Sequence, residues 1–376
     1  MADLNFKEDM MTNTIADKIN ALRSRMAEES VDLIAIGPGA HMKWLLGFYP
    51  HPDERPCLLF VSRTAETFLM PAMNAEGTRQ ETDIGFHTWD DADGPDAALK
   101  AALSEIGAEG ARNVVVDEAM RADFALLVLD ALPGAVHSFT GATLGALRMR
   151  KGDDEYRELK KNALLADEAM KAAFAAARPG MSEIELADVI SQSFIANGAR
   201  PLFRIVGTGG NGAFPHHHTG ETVIQAGDVI VIDIGAQAGN YPSDITRSVV
   251  VGDAPDDYDK VHAIVDSAVK AAMGAAKPGV KARDVDAAAR KVIADAGYGE
   301  YFVHRTGHGM GIEVHEPPYI TSTSDTVLEE GMVFSIEPGI YLPGRFGIRL
   351  EDIVILRADG PEILSELPRD AHKVSV

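Results

Sequence analysis

Between residues 12 and 147, short apolar runs alternate with longer stretches whose apolar positions recur at helical spacing. The runs are VDLIAIG, CLLFVS, TFLMP and NVVVDE, and the helical stretches include IADKINALRSRMAEES and DAALKAALSEIGA. Unbroken apolar strands indicate a sheet that is covered on both faces, and their alternation with helices is typical of α/β domains. We therefore predict an α/β domain over residues 12–147.

The pattern changes at the segment RMRKGDDEY. Three consecutive acids at 153–155 fall where they would complement the dipole at the start of a long helix, and the Pro-Gly pair at 179–180 ends that helix. Ser182 and Glu185 have the spacing of a capping box, which predicts the start of the next helix. We place the domain boundary here.

Residues 148–376 form the second predicted domain. Strand-like runs through PLFRIVG, VIVIDIG and SVVVG precede two helical stretches within 255–296, and VFSIEPGIY and FGIRLEDIVIL supply the last strands. The order of strands and helices predicts an α+β domain in which helices wrap around a curved antiparallel sheet.

This domain contains an internal repeat. The segment RPGMSEIELADVI, starting at Arg178, matches KPGVKARDVDAAARKVI, starting at Lys277, and the same offset of 99 residues relates His216 to His315. Further along, AGDVIVID matches EGMVFSIE at an offset of 104, so the second copy requires insertions. Two copies of this length are not solenoid units and predict a pseudo-twofold duplication.

Five side chains that could bind a metal lie in short, distinctive contexts of the second domain. They are Asp233 in VIDIGA, Asp244 in PSDITR, His308 in GTGHGMG, Glu337 in SIEPGIY and Glu351 in GIRLED. Each alone could be an ordinary strand-end, turn or loop residue. However, a carboxylate that ends a buried strand must leave the core or meet a cation, and oxygen ligands with one imidazole suit Mn, Co, Fe or Zn. The set predicts a hydrolase with two metal ions.

The segment 207–212 satisfies the G-x-G-x-x-G pattern of dinucleotide sites, but Pro215 and three histidines follow it. Because no helix can begin there to receive a pyrophosphate, we interpret the segment as a loop that presents His216. His217 and His218 are predicted to be structural or solvent-facing.

Composition favours a soluble enzyme. The formal charge of −22, from 35 basic and 57 acidic residues, makes nucleic acid and anionic membranes unlikely partners. Cys57 is the single cysteine and excludes an intrachain disulfide, which suits a reducing compartment. The first residues do not have the pattern of a signal peptide, and no apolar stretch reaches the length of a membrane span, so we expect a cytoplasmic protein.

The motifs SDITR, GHGMGIEVHE, IEPGIYLPGR and GIRLED resemble those of the "pita-bread" metallopeptidases, family M24, which include prolidase, aminopeptidase P and methionine aminopeptidase. Over essentially the whole chain the likeness is to the Xaa-Pro branch, which carries a creatinase-like N-terminal domain. It implies hydrolysis of the peptide bond before proline in a short peptide, two divalent ions with manganese expected and Co, Zn or Fe as alternatives, and a homodimer.

The resemblance also implies roles for single residues. Asp233 would bind one ion, His308 and Glu337 the other, and Asp244 and Glu351 both. Glu337 would move the proton of the attacking water, and His216 and His315 would contact the substrate or the tetrahedral intermediate. Arg349 could hold a carboxylate in its binding rotamer or form a surface salt bridge.

One position departs from the family pattern. Dipeptidases of this branch commonly follow the HE motif with an arginine for the substrate carboxylate, whereas HEPPYI places Tyr319 there. This favours an aminopeptidase P-like activity, unless Arg345 or Arg204 replaces the arginine.

Two other functions stay open at this point. Relatives with the same fold run metal-free creatine hydrolysis or iron-dependent cleavage of a sulfonium substrate, and others are inert binding proteins. Retention of all five ligands argues against the metal-free and inert cases. Trp44, Phe48 and Tyr49 are candidates either for core packing or for the rim of a partner subunit's pocket.

Overall fold

The computed structural model describes residues 14–375. Contacts between Cα atoms divide the chain into two compact units, of which the first ends at Arg148 and the second begins at Met149. Residues 12 and 13 of the predicted N-terminal domain lie outside the described residues. The assignment of residues 12–147 and 148–376 to two functional domains stays a prediction.

The first unit is a layered α/β structure. Its helices are α1 (Ile15–Glu28), α2 (Ala40–Leu46), α3 (Ala72–Thr78), α4 (Asp96–Glu105), α5 (Ala122–Ala131) and α6 (Leu144–Met149), the last of which ends at the division; its strands are β1 (Leu33–Ile36), β2 (Leu58–Ser62), β3 (Glu66–Pro71), β4 (Gly85–Trp89), β5 (Asn113–Val116) and β6 (Val136–Phe139). The strands form one mixed sheet in the order β4-β3-β2-β1-β5-β6. Every residue of β1 and β2 is buried, which explains the unbroken apolar runs. The predicted α/β fold is confirmed.

The second unit combines four long helices with antiparallel strands. The helices are α7 (Asp153–Ala176), α8 (Glu183–Ala196), α9 (Tyr258–Ala275) and α10 (Ala282–Asp295); the strands are β7 (Arg200–Thr208), β8 (Val229–Ala238), β9 (Tyr241–Pro242), β10 (Ile245–Val251), β11 (Gly307–Gly309), β12 (Glu316–Ile320), β13 (Val333–Ile336), β14 (Gly339–Leu342), β15 (Phe346–Arg349), β16 (Asp352–Arg357), β17 (Gly360–Ile363) and β18 (His372–Val374). Helix α7 begins with the three acids at 153–155, and α8 begins with the predicted capping box.

The strands of this unit form two five-stranded sheets and a hairpin. The first sheet has the order β18-β10-β8-β7 with β9 paired to β8, the second has the order β12-β11-β13-β16-β17, and β14 pairs with β15. All pairs are antiparallel except β10 with β18. The predicted α+β domain with an antiparallel sheet is confirmed.

Each sheet has its own apolar core. The first core gathers buried residues of α7, α8, β8 and β10, and the second gathers those of α9, α10, β13 and β16. The amphipathic helices therefore cover the sheets with their apolar faces. None of the helices within residues 14–375 is long and apolar enough to cross a lipid bilayer.

The duplication is visible in matching backbone contacts. Ser182 bridges to Val223 in the first half of the unit, and Lys281 bridges to Val327 in the second. The leading residues of these bridges differ by 99 (281 minus 182) and their partners by 104 (327 minus 223), which are the two offsets of the sequence repeat. The second half therefore repeats the order helix, helix, strands of the first, with its insertion between the bridged residues.

Candidate active site

The five side chains singled out in the sequence converge at strand ends of the second unit. Asp233 lies within β8, Asp244 directly before β10, His308 within β11, Glu337 directly after β13 and Glu351 directly before β16. These strands belong to both five-stranded sheets, so neither half of the duplication holds the set alone. All five side chains line one cavity.

Their donor atoms form overlapping groups. In each group the atoms lie within 4.8 Å of one another, and the groups are Asp233, Asp244 and Glu351; His308, Glu337 and Glu351; and Asp244, His308 and His315. Glu351 joins the first two groups. The spacing is that of a cluster able to hold more than one cation through shared carboxylates.

The imidazole of His308 is oriented by backbone. Its Nδ1 lies 3.1 Å from the carbonyl oxygen of Gly309, which assigns the ring proton to Nδ1 and leaves Nε2 facing the carboxylates. Nε2 lies 3.3 Å from Glu337 Oε1 and 3.6 Å from Asp244 Oδ2. The hydroxyl of Ser335 accepts the N–H of His308 over 2.9 Å and donates to Glu337 Oε1 over 3.0 Å. Burial lowers the pKa of His308 to about 3, so the ring is neutral and suited to bind a metal.

The carboxylates crowd one another. Burial raises the pKa of Asp244 and of Glu351 well above their ordinary values, and neighbouring carboxylate charges raise both further. Burial also raises the pKa of Glu337 to about 7, although the charge of Arg349 opposes this shift. Several buried carboxylates cannot ionise together unless positive charge is added.

Two carboxylate oxygens in this cluster have no hydrogen-bond partner, namely Asp233 Oδ1 and Glu351 Oε1. The other oxygen of each is engaged, by Arg349 over 2.5 Å and by the hydroxyl of Thr246 over 2.6 Å. A buried polar atom without a partner is costly, and a divalent cation is the partner that oxygen ligands with one imidazole prefer. The side chains present therefore fit a pair of divalent cations.

Arg349 lies beneath the carboxylates rather than at the surface, with 3% of its side chain exposed. Besides Asp233, it donates to Thr246 Oγ1 over 3.1 Å, to the hydroxyl of Tyr341 over 2.8 Å and to the carbonyl oxygen of Pro215 over 3.3 Å. Four partners fix the guanidinium and, through it, the rotamer of Asp233.

The cavity has a volume of about 670 Å³, within the range of small-ligand sites. An apolar wall consists of Phe203, Ile205, Pro215 and Val314. His216 and His315 both line the cavity, and the ring centroids of His315 and His308 are 3.9 Å apart. The cavity therefore offers an apolar surface, two imidazoles and a carboxylate cluster side by side. His217 instead contacts Glu183, and His218 is exposed.

Arg305 was missed in the sequence, although it stands three residues before His308 in HRTGHG. Its side chain lines the cavity, and its guanidinium carbon lies 4.6 Å from the ring centroid of Tyr319. Within residues 14–375 it forms no ion pair. Arg345, considered for the substrate carboxylate, instead forms a surface ion pair with Asp257 over 2.6 Å.

His304 and Tyr341 were also missed. The His304 Nε2 lies 2.8 Å from the hydroxyl of Tyr341, which accepts from Arg349, and its Nδ1 lies 2.7 Å from the carbonyl oxygen of Arg305. Burial lowers the pKa of His304 to about 3 and raises that of Tyr341 to about 12. Nothing in the sequence marks either position, because only the fold brings His304 to the cavity and Tyr341 into contact with His304 and Arg349.

Two families of known proteins match the chain. Residues 157–358 match the description "Metallopeptidase family M24", and residues 18–150 match "Creatinase/Prolidase N-terminal domain". The first match spans the cavity and all five carboxylate and imidazole positions.

Full-length relatives and solved structures are similar too. A probable dipeptidase, PepE, of Mycobacterium tuberculosis is 38% identical over 350 residues, which cover 91% of this chain and 92% of that protein. An Xaa-Pro dipeptidase of Pyrococcus horikoshii is 31% identical over 356 residues, with coverage of 94% and 98%. The crystal structure of dipeptidase PepE from Mycobacterium ulcerans superposes with a TM-score of 0.92 at 34% identity and covers 96% of this chain and 98% of that one.

Proposed function

Because the chain belongs to metallopeptidase family M24, as its motifs indicated, we propose that it hydrolyses the peptide bond of Xaa-Pro dipeptides with the help of two divalent cations. The observation that carries the proposal is the convergence of Asp233, Asp244, His308, Glu337 and Glu351 on one cavity. The similar proteins named dipeptidase and Xaa-Pro dipeptidase support the choice of substrate.

We assign the ligands by the motifs. Asp233 would hold one cation, His308 and Glu337 would hold the other, and Asp244 and Glu351 would serve as ligands of both. Manganese is the proposed metal, and Co, Zn and Fe are the alternatives that metal analysis distinguishes, because oxygen-rich sites follow availability as much as affinity. When bound, the pair of cations supplies Lewis acidity and a water of lowered pKa.

The chain's own side chains then divide the remaining work. Glu337, whose carboxylate lies in one group with the donor atoms of His308 and Glu351, would take a proton from water and return it to the leaving nitrogen. His216 and His315 donate hydrogen bonds to the oxygen on which charge develops, and they do so from a partly apolar cavity where such bonds are strong. Arg349 keeps Asp233 in its binding rotamer.

Arg305 selects the dipeptide in this proposal. It is a cavity arginine without an ion pair among the described residues, and it stacks on Tyr319, the residue that stands where relatives carry an arginine. A guanidinium held flat on a ring can still form two hydrogen bonds to a carboxylate. The free carboxylate of an Xaa-Pro dipeptide supplies that partner. We therefore propose a preference for dipeptides in place of the aminopeptidase P-like preference expected from Tyr319.

The first experiment measures bound metal by mass spectrometry and turnover of Ala-Pro and longer Ala-Pro peptides with added manganese or cobalt. Two equivalents of metal and turnover of Ala-Pro are expected. Two equivalents without peptide turnover would instead favour a lyase-like metalloenzyme, and a protein that binds no metal would favour an inert binding module. Either result would remove the proposed function.

The second experiment compares Ala-Pro with Ala-Pro amide, which lacks the carboxylate. Arg305→Met should raise KM for Ala-Pro about 10- to 100-fold, corresponding to the roughly 1.5–3 kcal/mol of hydrogen bonds to a charged group, and should leave the amide unaffected. Arg345→Met, which removes a surface arginine, is the matched control and should change neither substrate. Equal effects of Arg305→Met on both substrates would exclude it as the carboxylate partner.

We also propose that residues 12–147 form a creatinase-like domain, that residues 148–376 carry catalysis, and that the protein is a cytoplasmic homodimer. Cys57 is buried, and burial raises its pKa to about 12, as suits an inert thiol in a reducing compartment. Trp44 is 7% exposed and belongs to the core, whereas Tyr49 is 43% exposed and remains a candidate for the dimer rim. Light scattering would measure the subunit number.

A further inference from the structure

His216 and His315 line the cavity, and each is followed directly by a residue that contacts a buried charged side chain. His217, after His216, has its Nε2 2.8 Å from Glu183 Oε2. Glu316, after His315, accepts from Lys151 Nζ over 2.7 Å. The roles are exchanged between the halves: the carboxylate of Glu183 is the buried anchor in the first pair, whereas the carboxylate of Glu316 is the anchored group in the second.

In the first half, Glu183 organises the whole loop. It is fully buried at the first position of α8. One carboxylate oxygen accepts from the N–H of Thr208 and the side-chain amide of Asn211, both over 2.9 Å, and the other accepts from Gly220 N–H over 3.1 Å in addition to His217. Four donors spread over 208–220 converge on one carboxylate, so the segment that carries His216 is fixed from behind.

In the second half, Lys151 performs the corresponding task from just before α7. The side chains of Lys151 and Glu316 are only 1% and 3% exposed. The second oxygen of Glu316 accepts from Glu313 N–H over 3.4 Å, and any side chain at Gly311 would collide with the carboxylate. The segment 311–316 is therefore folded around Glu316, with His315 facing the cavity next to it.

The repeat shows that the second anchor is not a copy of the first. The residue 99 positions after Glu183 is Ala282, which is fully buried and has no polar side chain. The second half therefore takes its counter-charge from outside the repeated position. A buried ion pair rarely adds net stability over apolar packing, because desolvation offsets the attraction. Two different anchors at matching places therefore point to a role in positioning the preceding histidine, His216 or His315.

We infer that Glu183–His217 and Lys151–Glu316 are matched positioning pairs that set the direction of His216 and His315. Neither pair lines the cavity, so neither is expected to touch the substrate. The inference rests on the proposed peptidase function, in which both imidazoles act on the substrate. Loss of a pair should let the adjacent imidazole swing, which lowers turnover while the metal ligands and the substrate pocket stay in place.

The test of the second pair is the double variant Lys151→Met/Glu316→Gln, which removes both charges of the pair. The value of kcat for Ala-Pro should fall about 10- to 100-fold, the usual effect of losing an outer partner of an active-site ligand. KM and the content of two cations should stay near those of the unmodified protein.

The test of the first pair compares His217→Leu with His217→Gln. The glutamine can offer a nitrogen donor to Glu183 and should restore most of the kcat that the leucine loses. Asp167→Asn is the matched control, because Asp167 is a 1% exposed carboxylate that accepts from Ser365 and Glu366 away from the cavity. It should lower the melting temperature and leave kcat unchanged.

A second readout does not depend on activity. In metal-free protein labelled with ¹⁵N-histidine, the His315 signals, assigned with His315→Ala, should shift or broaden in the double variant and stay unchanged in Asp167→Asn. Unchanged kcat, or unchanged His315 signals, in a folded double variant would overturn the inference. If the unmodified protein does not cleave Ala-Pro, the proposed function fails instead, and the spectra still test whether the pair fixes His315.

Discussion

The two halves of the second unit share a backbone plan and differ in where they place charge. Each half has two helices followed by strands, and His216 of the first half and the matching His315 of the second both line the cavity. The acids Asp233 and Asp244 are 11 residues apart, whereas Glu337 and Glu351 are 14 apart. The three extra residues (14 minus 11) fall in the segment that forms the hairpin β14–β15.

That hairpin makes the halves unequal. It carries Tyr341 and Arg349, and Arg349 reaches across to hold Asp233 of the first half. The corresponding place in the first half is only the short strand β9. Local backbone contacts thus preserve the duplicated fold, while the second copy supplies the larger share of the side chains that line the cavity.

The largest expected effect comes from removing a carboxylate that serves both halves. Asp244→Ala should cost both cations and lower activity roughly 10³-fold or more, the scale seen when one member of a catalytic unit is removed. Asp233→Ala should cost one equivalent and leave the other at His308 and Glu337. Metal analysis and Ala-Pro turnover measure both, and an Asp244→Ala protein that keeps two equivalents contradicts the assignment of a shared ligand.

The two histidines test how equal the halves are in catalysis. His216→Ala and His315→Ala should each lower kcat about 10²- to 10³-fold with bound metal retained, as expected for the loss of one donor to a developing oxyanion. The value of kcat for each variant, measured at saturating Ala-Pro, shows whether both histidines contribute to catalysis. If only one of the two variants has a lower kcat, a single half supplies the hydrogen-bond donor.

Without bound metal, the crowded carboxyl groups of both halves should make the stability of the protein depend on pH. Burial and neighbouring charge raise the pKa of Asp244, Glu337 and Glu351 in the folded protein, so their stabilising contribution is present at low pH and is lost as pH rises through the folded pKa, about 7 for Glu337. Histidines whose pKa is lowered in the folded protein, including His308, make stability rise with pH, but only below pH 6.5. Between pH 6.5 and 8.5 the carboxyl groups therefore determine the change in stability.

Between pH 6.5 and 8.5, a carboxyl group that is protonated in the folded protein is ionised in the unfolded chain. Each such group should lower the free energy of unfolding by about 1.4 kcal/mol for every pH unit. The melting temperature of EDTA-treated protein should therefore fall from pH 6.5 to 8.5, and manganese should flatten the dependence. A metal-free protein with a pH-independent melting temperature would show that the acids are not crowded as described.

The smallest effect concerns the turns that end α8 and α10. Gly198 and Gly297 have φ of 76° and 85°, and an added Cβ would meet no atom within 4 Å at either place. Gly198→Ala and Gly297→Ala should each cost only the backbone strain, about 1–2 kcal/mol. Gly274→Ala, at an exposed helical position with equal space, should instead stabilise by about 0.4–1 kcal/mol. Thermal denaturation measures the stability of all three variants. If Gly198→Ala and Gly297→Ala differ in stability, one of the two turns makes packing contacts beyond its own backbone.

Much of the architecture could be predicted from the sequence because its signals are local. The capping box at Ser182 and the three acids that open α7 depend on residues within one helical turn. Even the duplication could be predicted, because both copies keep the Pro-Gly pair that ends a helix.

The parts of the site that could not be predicted depend on contacts between distant segments. Tyr341 enters the site only through hydrogen bonds to His304 and Arg349, and Lys151 meets Glu316 across 165 positions of sequence. Arg305 has a motif beside it, but its lack of an ion pair among residues 14–375 arises only in the folded protein.

The hairpin bearing Arg349 also limits how this protein can be rearranged by evolution. Two copies of the first half fused in tandem would contain no Arg349 to hold Asp233, and two copies of the second would have neither Asp233 nor the Glu183 anchor. A complete cavity therefore requires one copy of each half, because Arg349 of the second half holds Asp233 of the first.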